Sequence, residues 1–420
     1  MRNAVLAIVL LVAASLAGGA AAGERLPRIV NGLLAWDPPA VGSLLCTAGS
    51  DACFPDSGSP PVPSPPLSWC TGTLIGCETF LTAAHCVCGR LTGVECNDDF
   101  PRDPSQYRVF LQHAGSVEVA DIVVHPDFVP GDLVNDVAVL QLAVPVTGIH
   151  PAVPNDLGTP ALGSTGTIVG FGQSAQGLGD FGLKRAGTVV TADCGGFHND
   201  GHVCWSFEEP VGAPGDDSAT CQGDSGGPLF VDLGEGPVIA GITSRSAPPT
   251  CSPPALVIDQ DVSAVLDFIV AEAGDDLGRT CGGFPAVGEA GTVSYELSGT
   301  LNAGTSSATH QFTVDPGASE LRMALNAFED DGLADFDVYV RAGAPATPAQ
   351  HDCAIDDEGQ FGGCSLASPA AAPWHVLVTR VAGEGAYQVT AVAVPEPGRA
   401  LLLVTGVLVL VLVGTIRLRV

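Results

Sequence analysis

Between residues 29 and 273 the hydrophobic positions fall in short runs, rich in Val and Ile and broken repeatedly by Gly and Pro. The clearest lie at 107–112, 121–125, 137–142, 167–171 and 238–243. β-branched side chains pack well on a pleated surface, so these runs predict strands and an all-β region. Helical spacing is clear only over 262–273. There Val262, Val265, Leu266, Ile269 and Val270 recur on one face, as in a terminal amphipathic helix. Residues 57–66 repeat proline, which has no N–H to give to a sheet ladder, and predict an exposed polyproline-like loop.

The pattern changes at 274–291, where charge and glycine interrupt it and mark a linker. A second β-rich stretch, 292–394, predicts a separate, smaller β-sandwich; alternation puts Trp374, Val376 and Val378 on one of its faces. Residues 395–420 open with Pro395-Glu396-Pro397, and an apolar run over 400–416 then ends at Arg417 and Arg419, the pattern of a transmembrane helix with cytoplasmic basic residues. At the other end, Arg2, an apolar run from Ala4 to Ala17 and the small residues Ala20-Ala21-Ala22 form a secretory signal over 1–22, too short to favour an uncleaved anchor.

Composition narrows the function classes. The 420 residues exceed one ordinary domain, in keeping with two folded units plus processing segments. With 46 acidic residues against 16 Lys plus Arg, the net charge of −30 repels nucleic acid and anionic lipid and keeps an exported protein soluble. Fourteen cysteines without metal-type CxxC pairs predict disulfides and an oxidising compartment.

Three segments carry candidate chemistry, in chain order. They are Leu81-Thr82-Ala83-Ala84-His85-Cys86, then Asn135-Asp136-Val137-Ala138, then Cys221-Gln222-Gly223-Asp224-Ser225-Gly226-Gly227-Pro228. A serine hydroxyl is a weak nucleophile until an imidazole takes its proton, and a buried carboxylate can fix that imidazole's tautomer and stabilise the imidazolium. This order and context resemble the chymotrypsin-like serine peptidases. The resemblance covers residues 29–273 and implies paired six-stranded β-barrels with a short C-terminal helix. It makes Ser225 the nucleophile, His85 the base and Asp136 its orienting carboxylate, with the amides of Gly223 and Ser225 facing a developing oxyanion. No cofactor or metal is implied. The partner is a protein or peptide substrate.

The same resemblance makes 23–28 a short propeptide and Arg28-Ile29 a site for an activating protease, after which the Ile29 ammonium pairs with Asp224; Arg28 as the mere start of the mature chain is the alternative. It places Ala219 where trypsin-like members carry the Asp that binds Arg or Lys. Ser244 and Ser246 form another pocket wall, and Val257 stands where the family has Gly. A shortened pocket for small or medium apolar residues follows, with Asp216, Asp217 or Asp259 entering only in another register. The implied disulfides are Cys70–Cys86, Cys194–Cys204 and Cys221–Cys251, and Cys353–Cys364 is expected within the second domain. Cys46, Cys53, Cys77, Cys88, Cys96 and Cys281 stay unassigned.

Residues 292–394 resemble the bacterial pre-peptidase C-terminal domain through Ser298-Gly299-Thr300-Leu301, the segment from Asp335 to Arg341, and Trp374-His375-Val376-Leu377-Val378. Asp335 and Asp337 fit either a bound cation or a solvated strand start. The tail is similar to the PEP-CTERM sorting tag of Gram-negative bacteria, which implies an exosortase-type enzyme, passage through the inner membrane and delivery to the cell surface or medium; a simple tail anchor is the alternative. The expected function is an exported serine endopeptidase. The competing one is a catalytically silent peptidase fold that binds matrix or cell surface.

Overall fold

A computed structural model of the chain describes residues 29–47, 67–88, 103–175, 177, 180–196, 201–209, 211–282, 287, 292–328 and 334–395. The signal, Arg28 with the propeptide, the proline-rich loop and the apolar run 400–416 lie outside these residues. Among the described residues, no helix is long and apolar enough to cross a membrane.

The first barrel closes in the order Val41–Cys46, Leu67–Leu74, Thr79–Thr82, Ala138–Leu142, Gly115–Val124, Tyr107–Leu111. Closure comes from the first and last strands, with Ser43 opposite Phe110 and Cys46 opposite Tyr107. Leu44, Phe80, Phe110, Val139 and Leu140 are fully buried, which is why the short Val/Ile/Leu runs hold together here.

The second barrel runs Arg185–Ala192, His202–Phe207, Ala255–Asp261, Pro237–Ala247, Pro228–Asp232, Thr165–Gly170 and closes back onto Arg185–Ala192. The short strand Leu33–Leu34 adds to its edge. Trp205, Ile168, Leu229 and Val257 fill its core.

All five strands expected in this region are present, with ends shifted by a few residues. The helix is shorter than its periodicity predicts. It spans Leu266–Ala273, because Asp261 accepts hydrogen bonds from the Ser263 amide (2.9 Å) and hydroxyl (2.7 Å) and holds 262–265 as a turn. Val262, Val265 and Ile269 are buried, but Val270 is 44% exposed and lies off the packed face.

Residues 293–395 form two four-stranded antiparallel sheets. One runs Val293–Leu301, Gly385–Pro395, Ala318–Ala327, Phe361–Ala367, and the other Ser307–Thr313, Pro373–Ala382, Asp335–Ala342, Cys353–Ile355. Trp374, Val376 and Val378 point into the shared core, as their alternation requires. The Ala318–Ala327 sheet also rests on the barrels. Phe361 meets Phe110 edge-on at 5.1 Å between ring centroids, and Arg322 donates to the Thr147 carbonyl and hydroxyl, both at 2.6 Å.

Five disulfides join described residues. Cys70–Cys86, Cys194–Cys204, Cys221–Cys251 and Cys353–Cys364 pair as the sequence implied, and Cys77, left open there, bonds Cys281 across 204 residues. Cys46 and Cys88 are disulfide-bonded as well.

Candidate active site

His85 sits in a single helical turn, Ala84–Cys86, at the end of the Thr79–Thr82 strand, pinned by the Cys70–Cys86 disulfide. Asp136 immediately precedes the Ala138–Leu142 strand, which pairs with the His85 strand through Thr82 opposite Ala138. This pairing brings two residues 51 apart in sequence into contact. Asp136 Oδ2 lies 2.7 Å from His85 Nδ1, and Oδ1 accepts the His85 backbone N–H at 2.9 Å. The carboxylate is wholly buried and takes a further hydrogen bond from the Ser244 hydroxyl at 2.6 Å, while the Asp136 amide donates to Gln260 Oε1 at 3.1 Å. A carboxylate oxygen offers only acceptors, so a hydrogen bond at this position belongs to the His85 tautomer that carries its proton on Nδ1 and presents Nε2 as an acceptor.

Ser225 enters from the second barrel, in the turn before the Pro228–Asp232 strand. Gly223 (φ +92°) and Gly226 (φ +80°) hold that turn in left-handed conformations that L side chains rarely adopt. Space demands glycine there too: a Cβ on Gly226 would lie 2.1 Å from Thr82 Oγ1, and one on Gly223 would lie 2.7 Å from the Phe181 ring. The turn is stitched to the first barrel. Thr71 N donates to the Ser225 carbonyl at 2.9 Å, and Thr71 Oγ1 donates to the Gly223 carbonyl at 2.9 Å. His85 and Ser225 therefore line one cleft of about 520 Å³ between the barrels.

Of the four pocket candidates, Ser244 and Ser246 line this cleft. Ala219 and Val257 are instead buried in the second-barrel core beneath it. Thr220, Thr243, Gln222 and Arg245 complete the nearby wall. Asp216 and Asp217 are exposed, and the Asp216 carbonyl accepts from the Asn31 amide. Asp259 lies opposite Thr243 in the sheet, with no exposure; burial, opposed by the Thr243 hydroxyl, pushes its carboxyl well above the ordinary carboxylate range.

Ile29 is buried with Ala219 in the second-barrel core, and Val30 N donates to the Ala219 carbonyl at 2.9 Å. Asp224 is fully buried, its oxygens accepting from Gly172 N and Cys221 N, each at 2.8 Å. Burial pushes its carboxyl up to about 7 against those two bonds and the attraction of Arg185. Among the described residues, two side-chain clusters have metal-ligand types, Cys70-His85-Cys86 and Cys77-Asp276-Cys281, but the sulfurs of both are tied up in disulfides.

Sequence reasoning did not assign Ser244 its bond to Asp136. It also missed Gln260 and Thr71, because nothing in their local sequence marks them. Only strand pairing brings them to the site.

The family model Trypsin matches residues 62–269. Brachyurin of Leptuca pugilator is 32% identical over 221 residues, covering 50% of this chain and 89% of brachyurin. Trypsin of Saccharopolyspora erythraea is 33% identical over 178 residues, covering 39% and 71%. Tryptase of Mus musculus is 30% identical over 200 residues, covering 42% and 69%. With a His–Asp pair and a serine on a glycine-bounded turn facing one inter-barrel cleft, this chain belongs to the trypsin family of serine peptidases.

Proposed function

We propose that the chain is an exported serine endopeptidase that works through an acyl-enzyme. The observation that carries this reading is the buried Asp136 carboxylate, 2.7 Å from the Nδ1 of a histidine that shares its cleft with Ser225. In this mechanism His85 Nε2 takes the Ser225 hydroxyl proton as Oγ attacks the scissile carbonyl carbon. The amides of Gly223 and Ser225 receive the oxyanion. Collapse breaks the C–N bond and His85 returns the proton to the departing amine. Water then attacks the ester while His85 takes its proton, and the C–O bond breaks as His85 passes that proton to Oγ, releasing the acid and restoring both residues.

Cleavage after Arg28 is the proposed switch, freeing an Ile29 ammonium to pair with Asp224. Burial of Ile29 and the raised carboxyl of Asp224 support it, since a buried carboxylate without a cation is costly. A preference for small or medium apolar residues is supported by a cleft that has no carboxylate among its described lining residues and that presents Arg245, which repels Lys and Arg. The disulfides suit an oxidising compartment. The two four-stranded sheets suit the pre-peptidase C-terminal domain reading of 292–394, and residues 395–420 suit surface delivery through an exosortase-processed tag.

The test is labelling of the chain, cleaved after Arg28, by a serine-directed fluorophosphonate with Ser225→Ala as control. Ser225-dependent labelling supports the peptidase. Its absence overturns that reading in favour of a silent binding module, and a peptide panel cleaved only after Arg or Lys would remove the apolar preference.

A further inference from the structure

The sheet carrying Asn326 and Gln388 does more than cover the barrels. Both side chains are amides on adjacent strands of that sheet, and both are buried, at 1% and 0% exposure. They do not satisfy one another alone. Asn326 Nδ2 donates to the Gly182 carbonyl and to Gln388 Oε1, each at 2.9 Å, while its Oδ1 accepts from Gln112 Nε2 of the first barrel at 3.0 Å. Gln388 Oε1 also accepts the Lys184 backbone N–H at 2.8 Å, and its Nε2 donates to the Ala35 carbonyl at 3.0 Å. Gly182 itself has φ +98°, and a Cβ there would lie 2.3 Å from the Ala327 carbonyl oxygen. The backbone of the peptidase at 182–184 is thus clamped from outside by two side chains of the sandwich.

What lies on the other side of that segment gives the clamp a consequence. Gly182 N donates to the Phe171 carbonyl at 2.9 Å, and Phe171 N donates to Thr71 Oγ1, the hydroxyl that holds the Gly223 carbonyl. The Phe181 ring packs directly against Gly223. Gly172 N reaches Asp224, and Gln173 N donates to the Gln222 carbonyl at 2.8 Å. Each residue from 222 to 224 therefore leans on 171–173 or Phe181, and 182–184 lean on the sandwich.

We propose that the C-terminal sandwich is a built-in brace for the oxyanion-forming turn, and that Asn326 and Gln388 are positioning residues acting through 182–184. The proposal rests on the peptidase reading above. An isolated catalytic domain would keep its triad but present a looser Gly223 amide, so losses should fall on the transition state rather than on substrate binding.

The test compares the full chain, cleaved after Arg28, with the double variant Asn326→Ala/Gln388→Ala and with Arg322→Ala, which cuts a different interface contact, to Thr147. Hydrogen exchange reads the brace without any need for catalysis. Faster exchange is expected across 171–184 and 219–226 in the double variant and not in Arg322→Ala. Steady-state kinetics, normalised to properly folded protein, should show kcat lower by roughly 10- to 100-fold with KM changed less than about threefold. Unchanged exchange across 219–226, or equal kinetic loss in Arg322→Ala, overturns the proposal. A wild-type chain that shows no Ser225-dependent labelling would instead overturn the peptidase reading, and the exchange data tell the two failures apart.

Discussion

At the scale of single residues, the site depends on a carboxylate taken out of water. Asp136 has no exposure, yet its oxygens accept from the His85 amide, His85 Nδ1 and the Ser244 hydroxyl. Those donors satisfy the buried oxygens, and a carboxylate in this place matches the His85 tautomer with its proton on Nδ1. Replacing Asp136 with Asn puts an amide where the carboxylate accepts and favours the wrong tautomer. The expected result is a fall in kcat of about 10⁴-fold with the fold intact, checked by kinetics and circular dichroism. Ser244→Ala removes one hydrogen bond to a charged acceptor, which is worth about 1.5–3 kcal/mol, so kcat should fall by about 10- to 100-fold. Near-wild-type turnover in Ser244→Ala would show that Asp136 does not need its third donor. His85 and Ser225 were readable in the sequence because each sits in a distinctive run of neighbours, whereas Ser244 carries no such local mark.

At the scale of elements, one disulfide and one glycine tie distant segments together. Cys77 precedes the Thr79–Thr82 strand and bonds Cys281 beyond the terminal helix, so this bridge closes most of the peptidase into one loop. Cross-links over long loops cost the unfolded chain the most entropy, and Cys77→Ala/Cys281→Ala should lose about 2–5 kcal/mol in denaturant titration. Gly182 is a sharper case, because both its positive φ and the Ala327 carbonyl oppose a side chain. Gly182→Ala should destabilise by about 1–3 kcal/mol, with lower thermal midpoints for the barrels and for the sandwich that meets them there. The helix shows how local chemistry can override periodicity. Val262 and Val265 are buried as an amphipathic pattern demands, but the Asp261–Ser263 bonds make them a turn that leads into the helix.

At the scale of the whole molecule, the proposed pairing of Asp224 with a freed Ile29 ammonium predicts a pH signature. Burial raises its carboxyl from 3.8 to about 7, so between those values the folded, uncleaved chain binds the proton that the unfolded chain releases. That contribution to stability is present below about pH 4 and is lost as pH rises towards 7, a change of a few kcal/mol. An Ile29 ammonium would favour the carboxylate and remove much of that slope. Thermal melts from pH 4.5 to 7 should therefore converge for Arg28→Gln, which stays uncleaved, and the cleaved chain at low pH, and diverge in favour of the cleaved chain near neutrality. Parallel curves would rule out the pairing. The sequence by itself determined the all-β class and pointed to a serine-peptidase chemistry. Histidine, aspartate and serine stood in recognisable local runs, and Val/Ile alternation forces strands wherever it occurs. It also indicated a second β unit. Only the tertiary structure decided which residues support that chemistry. Ser244, Gln260 and Thr71 reach the site through strand pairing, Ala219 and Val257 fall below the cleft, and Asn326 and Gln388 reach 182–184 from more than a hundred residues away. The physical reason is that a buried polar group must find a partner wherever the folded chain supplies one. That partner is fixed by the packing of barrels and sheets and leaves no trace in the neighbouring sequence.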